Sequence, residues 1–291
     1  MPNLKSIKRK ISSIKNTKQI TKAMKMVAGS KLKRNQSLMN EFRAYALTYD
    51  EIIKNISDNT VLYSHPFYFK SSGDNDNIGI IIISTDRGLC GSFNMNLFKL
   101  LFEELKAKGI QSSRIKLYIL GKKALDFFKK GNYDVAFSKF FSEGETPTNL
   151  SDLLARDISK DFVENKMSEV YIISNTYIST LHQKAVIEKI LPLDTKSPDK
   201  NKNNGGYLIE PVSYEEEILD KILKDYIQIK IFFKILESFA GEQASRMNAM
   251  DNATRNAEKL ISKLTVSYNK ARQAAVTLEI LDIINGVNAI R

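Results

Sequence analysis

Residues 213–288 read SYEEEILDKILKDYIQIKIFFKILESFAGEQASRMNAMDNATRNAEKLISKLTVSYNKARQAAVTLEILDIINGVN. No proline interrupts them, and Gly241 is the only glycine before Gly286. Ser213 and Glu216, just after Pro211, form an S-x-x-E capping box, a helix start signal. From Met247 onward, apolar or small residues recur at alternating steps of three and four: Met247, Met250, Thr254, Ala257, Ile261, Leu264, Tyr268, Ala271, Ala275 and Leu278. A 3.5-residue repeat of that length is a coiled-coil seam. One helix through the whole stretch is roughly 110 Å long, so it is a rod.

Residues 3–57 supply a second long helix. No proline occurs between Pro2 and Pro66, and Gly29 is the only glycine before position 57. Leu4, Ile7, Ile11 and Ile14 open with heptad spacing. The apolar residues then change phase through Ile20, Met24, Val27 or Ala28, and Leu32, and run on through Phe42, Tyr45, Tyr49, Ile52 and Ile56. Such a shift predicts a local change of supercoil. Neither helix can bury its stripe alone, so the two are expected to pair antiparallel, with the middle of the chain inserted at one end. The longer C-terminal helix then overshoots Met1 by about 20 residues, or roughly 30 Å. That overshoot, about 272–291, carries Val276, Leu278, Ile280, Leu281, Ile283, Ile284, Val287 and Ile290, which cover nearly the whole circumference. A helix apolar all round must be buried. A socket on another protein is the expectation, and folding back or self-association the alternative.

The middle changes character. Ile78–Ser84 (IGIIIIS) is a short continuous apolar run, as in a strand buried on both faces. A helix over 96–108, a strand over 116–120, a helix over 122–129, a strand over 133–138, a helix over 150–165, a strand over 169–175 and a further strand near 185–191 follow. Alternation of this kind predicts a mostly parallel sheet in a Rossmann-like α/β domain. The charged stretch from Asp194 to Gly206 reads as a loop. The fold class is therefore mixed: a long antiparallel coiled coil with an inserted α/β domain. Its divisions are 1–57 for the N-terminal helix, 75–206 for the α/β domain and 207–291 for the C-terminal helix.

Charge is unevenly placed. The chain carries a net charge of +11, and between Lys5 and Arg34 there are eleven Lys or Arg without one acidic residue. A solvated helix face is one reading. The unbroken single sign also fits an acidic partner, whether protein, nucleic acid or anionic lipid. No aromatic precedes Phe42, whereas nucleic-acid grips interleave aromatics with their charges, so nucleic acid is disfavoured. No run approaches the length of a membrane span, and the N-terminus lacks a signal-peptide core, so a soluble intracellular chain is expected.

Bond chemistry finds little support. No two of the thirteen glycines stand two apart, so G-x-G-x-x-G cannot occur, and the P-loop pattern is absent. Asp86-Arg87-Gly88-Leu89-Cys90-Gly91-Ser92-Phe93-Asn94, after a strand and before a helix, reads first as a tight turn and second as a backbone anion site. Cys90 is the only cysteine, and His65 and His182 lie far apart, so neither a disulfide nor a zinc site is expected. No catalytic residue, cofactor or metal site is predicted. A nucleotide-binding enzyme with coiled-coil arms is the rival reading.

Three blocks carry a resemblance. They are Ile14-Lys15-Asn16-Thr17 through Ile20-Thr21-Lys22-Ala23-Met24-Lys25-Met26-Val27-Ala28; Ser84-Thr85-Asp86-Arg87-Gly88-Leu89-Cys90-Gly91; and Arg246-Met247 through Ala249-Met250-Asp251-Asn252-Ala253-Thr254 with Tyr268-Asn269-Lys270-Ala271-Arg272-Gln273-Ala274. They fall in the first helix, the middle domain and the last helix, and together the chain resembles the gamma subunits of F-type ATP synthases. One departure is Gly286 followed by Val287, where the family has Gly-Ala; Thr277-Leu278-Glu279 is kept.

The resemblance implies a non-catalytic rotor shaft that couples proton flow through a c-subunit ring to ATP synthesis in a ring of alpha and beta subunits. The epsilon subunit is the further partner. Arg272, Gln273, Thr277 and Glu279 match the segment that grips beta-subunit catch loops, and Arg246 a second contact region. Met24 and Lys25 match the segment facing the acidic lower region of the beta subunits. Tyr207 and Glu210 match the foot near the c ring. The implied location is peripheral, on the cytoplasmic side of a bacterial inner membrane, with no insertion of the chain itself.

Overall fold

The computed structural model describes residues 4–57, 65–69, 77–131, 133–141, 144–193 and 215–290. The chain divides into two compact units, Met1–Gly29 with Arg246–Arg291, and Ser30–Ser245. Ten longer elements follow in order: α1 (Leu4–Ser57), β1 (Ile78–Ile83), α2 (Phe93–Ala107), β2 (Ile115–Leu120), α3 (Lys122–Phe128), β3 (Asp134–Lys139), α4 (Pro147–Val163), β4 (Glu169–Tyr177), β5 (Gln183–Leu191) and α5 (Glu215–Ile290). The loop at 194–206 and the capping box at Ser213 lie outside the described residues, as do the side chains of Ile56, Val287 and Ile290.

In the first unit the start of α1 pairs with the later part of α5. Lys18 meets Glu258 at 2.9 Å, the hydroxyls of Thr21 and Thr254 are 2.8 Å apart, and Lys25 is paired with Asp251. Gly29 faces Met247. The numbers in each pair add to 275 or 276, as an antiparallel register without slip requires. Leu4 then falls opposite Arg272, and α5 continues beyond it alone.

These pairs overturn the expected phase shift. Leu4, Ile7, Ile11, Ile14, Lys18, Thr21, Lys25 and Ala28 are buried or half-buried in an unbroken alternation of three and four, with Met24 and Gly29 half-buried beside them. Ile20, expected in the seam, is 60% exposed; of the alternatives Val27 and Ala28, Val27 is 57% exposed and Ala28 is buried, as is Leu32. The reason is that polar residues hold the central seam positions and find polar partners there. Seams of this type trade some stability for a fixed register. On α5 the expected seam holds from Met250 through Ala275, and Leu278, next in the spacing, is exposed.

The second unit is a three-layer arrangement around a five-stranded sheet of order β3-β2-β1-β4-β5. The first four strands are parallel and β5 runs antiparallel to β4. Every residue of β1 is buried, as its uninterrupted apolar run demands. Ile80, Ile82, Leu117 and Ile119 pack one face against α2 and α3 through Leu97, Phe98, Leu101, Ala124 and Phe128. On the other face Ile81, Ile83, Leu120 and Ile172 meet Leu154 and Ile158 of α4 and Leu223, Ile227, Ile231 and Ile235 of α5. A stretch of the longest helix therefore closes the core of the α/β layer.

Element ends differ from the expectation where a side-chain cap sets them. The fourth helix begins at Pro147 and not Leu150, because Thr146 accepts the Asn149 N–H at 3.2 Å and Pro147 needs no donor in the first turn. In the second unit α1 turns Leu32, Met39 and Ile53 fully inward, while Tyr45, placed in the seam by spacing, is 48% exposed.

Two polar clusters tie the layers. Asp161 of α4 accepts from Tyr118 at 2.6 Å and Lys116 at 3.1 Å, both on β2, and from Lys166 at 2.9 Å. Burial alone would raise its carboxyl, but the hydrogen bonds from Tyr118, Lys166 and Lys116 outweigh this and hold it below the ordinary range. On α5, Lys234 is buried between two carboxylates, pairing with Glu188 of β5 and with Glu237 at 3.3 Å. Burial pushes Glu237 upward despite the nearby Lys234.

Two outcomes are expected. A carboxyl whose folded pKa is depressed adds stability above its unfolded value of 3.8 and loses it as pH falls through the folded value. Acid unfolding of wild type should therefore steepen below that point and flatten in Asp161→Asn, which also loses about 1–3 kcal/mol at neutral pH in urea denaturation. Lys234→Met leaves Glu237 buried without its cation and should lose about 3 kcal/mol. The deficit shrinks as pH is lowered toward the raised Glu237 value, and Lys234→Met with Glu237→Leu recovers most of it.

Candidate functional site

In an open α/β sheet the place for a ligand is the crevice where the strand order reverses, at the carboxyl ends of the strands. Here that point lies between β1, whose connection leads to β2, and β4, which pairs on the other side. The segment 84–94 sits in it, so its polar groups decide whether the crevice can hold anything.

They are already engaged. The Asn94 side chain accepts the Thr85 N–H at 3.1 Å and donates to the Thr85 hydroxyl at 2.8 Å, and that hydroxyl donates to the Arg87 carbonyl at 2.7 Å. Asp86 accepts the Lys122 N–H at 3.0 Å at the start of α3. Ser84 Oγ accepts the Ala124 N–H at 3.0 Å. Leu89 and Gly91 both have positive φ, at 64° and 61°, which folds the segment back tightly on itself. Cys90 is buried. The segment is a tight turn held by Thr85, Asp86 and Asn94.

What occupies the crevice is α5. Ser245 Oγ donates to the Cys90 carbonyl at 2.7 Å. A Cβ at Gly241 would lie 3.0 Å from the Phe93 ring and 3.4 Å from Gln183, so the missing side chain is what lets the helix approach α2 and β5. From the end of β4, buried Asn175 donates to the Phe93 carbonyl at 3.1 Å. The ligand crevice of the fold has become a clasp on a helix. Sequence reading found the turn and Gly241 of α5 but not their meeting, because nothing local links positions about 150 residues apart.

The candidate contact residues fall into separate groups. Arg272, Gln273, Thr277 and Glu279 are all exposed on α5. Arg272 and Glu279, seven residues apart, share one face, and Gln273 and Thr277, four apart, share another. Thr277 donates back to the Gln273 carbonyl at 2.9 Å. Arg246 is half-buried. Lys25 points into the coiled-coil seam toward Asp251, whose carboxyl this hydrogen bond and the neighbouring Arg255 hold below the ordinary range; Met24 beside it is half-buried. Tyr207 and Glu210 lie outside the described residues. Beyond the last inward residue, Ala275, the apolar residues Val276, Leu278, Ile280, Leu281, Ile283 and Ile284 are each 45–62% exposed. None of them has folded back.

Charge follows the units. The first unit holds fifteen basic and four acidic residues, a net of +11, which is the whole excess of the chain. The second holds twenty-nine of each. Of the eleven cations between Lys5 and Arg34, Lys18 and Lys25 are drawn into the seam and the other nine are exposed. Among the described residues no group of His, Cys, Asp and Glu is arranged to hold a metal ion.

Comparison with known proteins agrees with this architecture. The family model described as ATP synthase matches residues 3–290. The ATP synthase gamma chain of Histophilus somni (strain 129Pt) is 38% identical over 294 residues, covering 100% of both chains. That of Glaesserella parasuis serovar 5 (strain SH0165) is 37% identical with the same coverage. Among solved structures, a chain of the Euglena gracilis mitochondrial ATP synthase (OSCP/F1/c-ring, rotational state 3) superposes with a TM-score of 0.69 at 20% identity, covering 99% of this chain and 94% of that one. A chain of the Tetrahymena thermophila mitochondrial ATP synthase (central stalk and c-ring) gives 0.60 at 23% identity, covering 80% and 99%. At those identities the likeness establishes the fold. With the family model spanning nearly the whole chain and full-length relatives more than a third identical, the chain belongs to the ATP synthase gamma-chain family.

Proposed function

We propose that the chain is the rotating central stalk of a proton-translocating F-type ATP synthase and carries out no bond chemistry itself. It couples rotation of a membrane c ring to ATP synthesis in a ring of alpha and beta subunits, with the epsilon subunit as a further partner. The observation that carries this reading is the end of α5. A helix with exposed apolar residues around its circumference is stable in a complex only if something sleeves it. The positive charge surrounding the same unit supplies attraction to acidic surfaces of that sleeve.

The physical role is differential contact. A ring protein with several conformations is shifted among them only by a partner that binds them unequally. An asymmetric coiled coil inside a ring of repeated subunits meets each one with a different face. Arg272 and Glu279 on one face and Gln273 and Thr277 on another are the residues proposed to make those contacts, with Arg246, Met24 and Lys25 lower on the coil. Tyr207 and Glu210 are proposed to face the c ring. Lys25 contributes through the coil register as well as through charge, given its pairing with Asp251. Among the described residues no helix is long and apolar enough to cross a membrane. The proposed location is thus peripheral, on the cytoplasmic face of a bacterial inner membrane.

The test is purification of the tagged full-length chain from gently solubilised native membranes, with identification of what accompanies it. Alpha, beta, epsilon and c subunits are expected, with ATPase activity in the complex and none in the isolated chain. Recovery of the chain alone, or with RNA, would overturn the reading. Within the complex, Arg272→Ala should lower ATP-driven proton pumping more than it lowers assembly. Arg272→Lys should recover only part of it, because lysine cannot make a bidentate carboxylate contact. Unchanged pumping in Arg272→Ala would remove that residue from the interface.

A further inference from the structure

The second unit has a groove of 550 Å³ that neither the crevice nor the seam uses. It is lined by Phe42, Tyr45 and Tyr49 of α1 and by Asp225, Gln228 and Phe232 of α5. The rings form a chain. The centroids of Phe42 and Phe232 are 4.7 Å apart edge to face, those of Phe42 and Tyr45 5.2 Å, and those of Tyr45 and Tyr49 5.1 Å. Asp225 lines the same groove as these rings, and the Tyr49 hydroxyl is pushed up to about 12 by hydrogen bonding with Tyr45 and by burial, with smaller contributions from the charges of Tyr45 and Asp225.

Asp225 also borders the adjoining groove between α4 and α5, whose other carboxylates are neutralised: Asp152 by Arg156 and Asp220 by Lys224. Among the described residues Asp225 has no ion-pair partner, and Lys221, one turn before it on α5, makes no bridge to it. A half-buried carboxylate beside aromatic faces is poorly hydrated and gains from a cation. Ring faces attract that same cation, and a planar guanidinium satisfies both, stacking on rings while donating two parallel hydrogen bonds to carboxylate.

We infer that this groove receives an arginine side chain of a partner polypeptide. An acidic segment would be repelled by Asp225, and a purely apolar one would bury the carboxylate unpaired. A bare metal ion would find one carboxylate where hard cations collect several oxygens. The site is a property of the chain itself; only the origin of the partner rests on the central-stalk reading.

The test has two arms. Ethylguanidinium, titrated into the full-length chain with ring resonances observed by NMR, should shift Tyr45 and Tyr49 saturably, while neutral propionamide should not. Asp225→Asn and Tyr45→Leu should each weaken the apparent affinity by about fivefold or more with the melting temperature unchanged. No saturable shift, or an equal response in Asp225→Asn, overturns the site. In the purified complex, Tyr45→p-benzoylphenylalanine should photocrosslink to a partner peptide with an arginine within a few residues of the adduct. An adduct within the chain alone, or to an arginine-free peptide, overturns the assigned partner. A chain that enters no complex defeats the central-stalk reading, and the titration still decides the groove.

Discussion

The structure depends on one act of burial. The sheet of the second unit has two apolar faces; among the described residues α2 and α3 cover the first, and α4 with Ile53, Phe67 and Tyr68 covers part of the second. The remainder is covered by Leu223, Ile227, Ile231 and Ile235 of α5. Four such side chains are worth roughly 6–12 kcal/mol as an upper bound. That is comparable with the whole stability of an ordinary domain. The α/β layer therefore cannot release α5 without unfolding. A helix held in this way is anchored by a folded core, and the Lys234 cluster and the Ser245 clasp fix its rotation as well as its attachment.

The same economy explains the crevice. Doubly wound sheets leave an opening at the reversal point because two crossovers diverge there. In this chain a helix with glycine at its contact point enters the opening, and the turn that would cradle a phosphate elsewhere is tied to that helix through the Cys90 carbonyl. Fold-level analogy alone would have argued for a nucleotide; the side chains argue for a mechanical joint.

How much of this was readable beforehand divides along physical lines. Both long helices, the strand–helix alternation and the bare apolar end were legible, because each rests on periodicity or on Gly and Pro placement within a short window. The middle of the coiled-coil seam was not. Hydrophobicity pointed to Ile20 and left Val27 and Ala28 as alternatives, whereas Lys18, Thr21 and Lys25 face inward, since each finds a complementary group on a stretch of sequence more than 200 residues away. The second role of α5 was hidden for a similar reason. An apolar face on residues 219–240 fits a coiled-coil partner and a sheet cover equally well, and only the tertiary structure chooses. The proposed contact residues Arg272, Gln273, Thr277 and Glu279 came from family resemblance; exposure makes them available, and periodicity alone would have passed over them.

The exposed end of α5 bears on how a cell must handle this chain. Six large apolar side chains on one short stretch make a newly synthesised copy adhesive until it is enclosed. Such a surface is what holdase chaperones bind and what drives self-association when concentration rises. On the proposed reading, an unassembled copy carries this surface bare until its partners enclose it. The feature proposed to seat the shaft thus also marks a copy that has no seat.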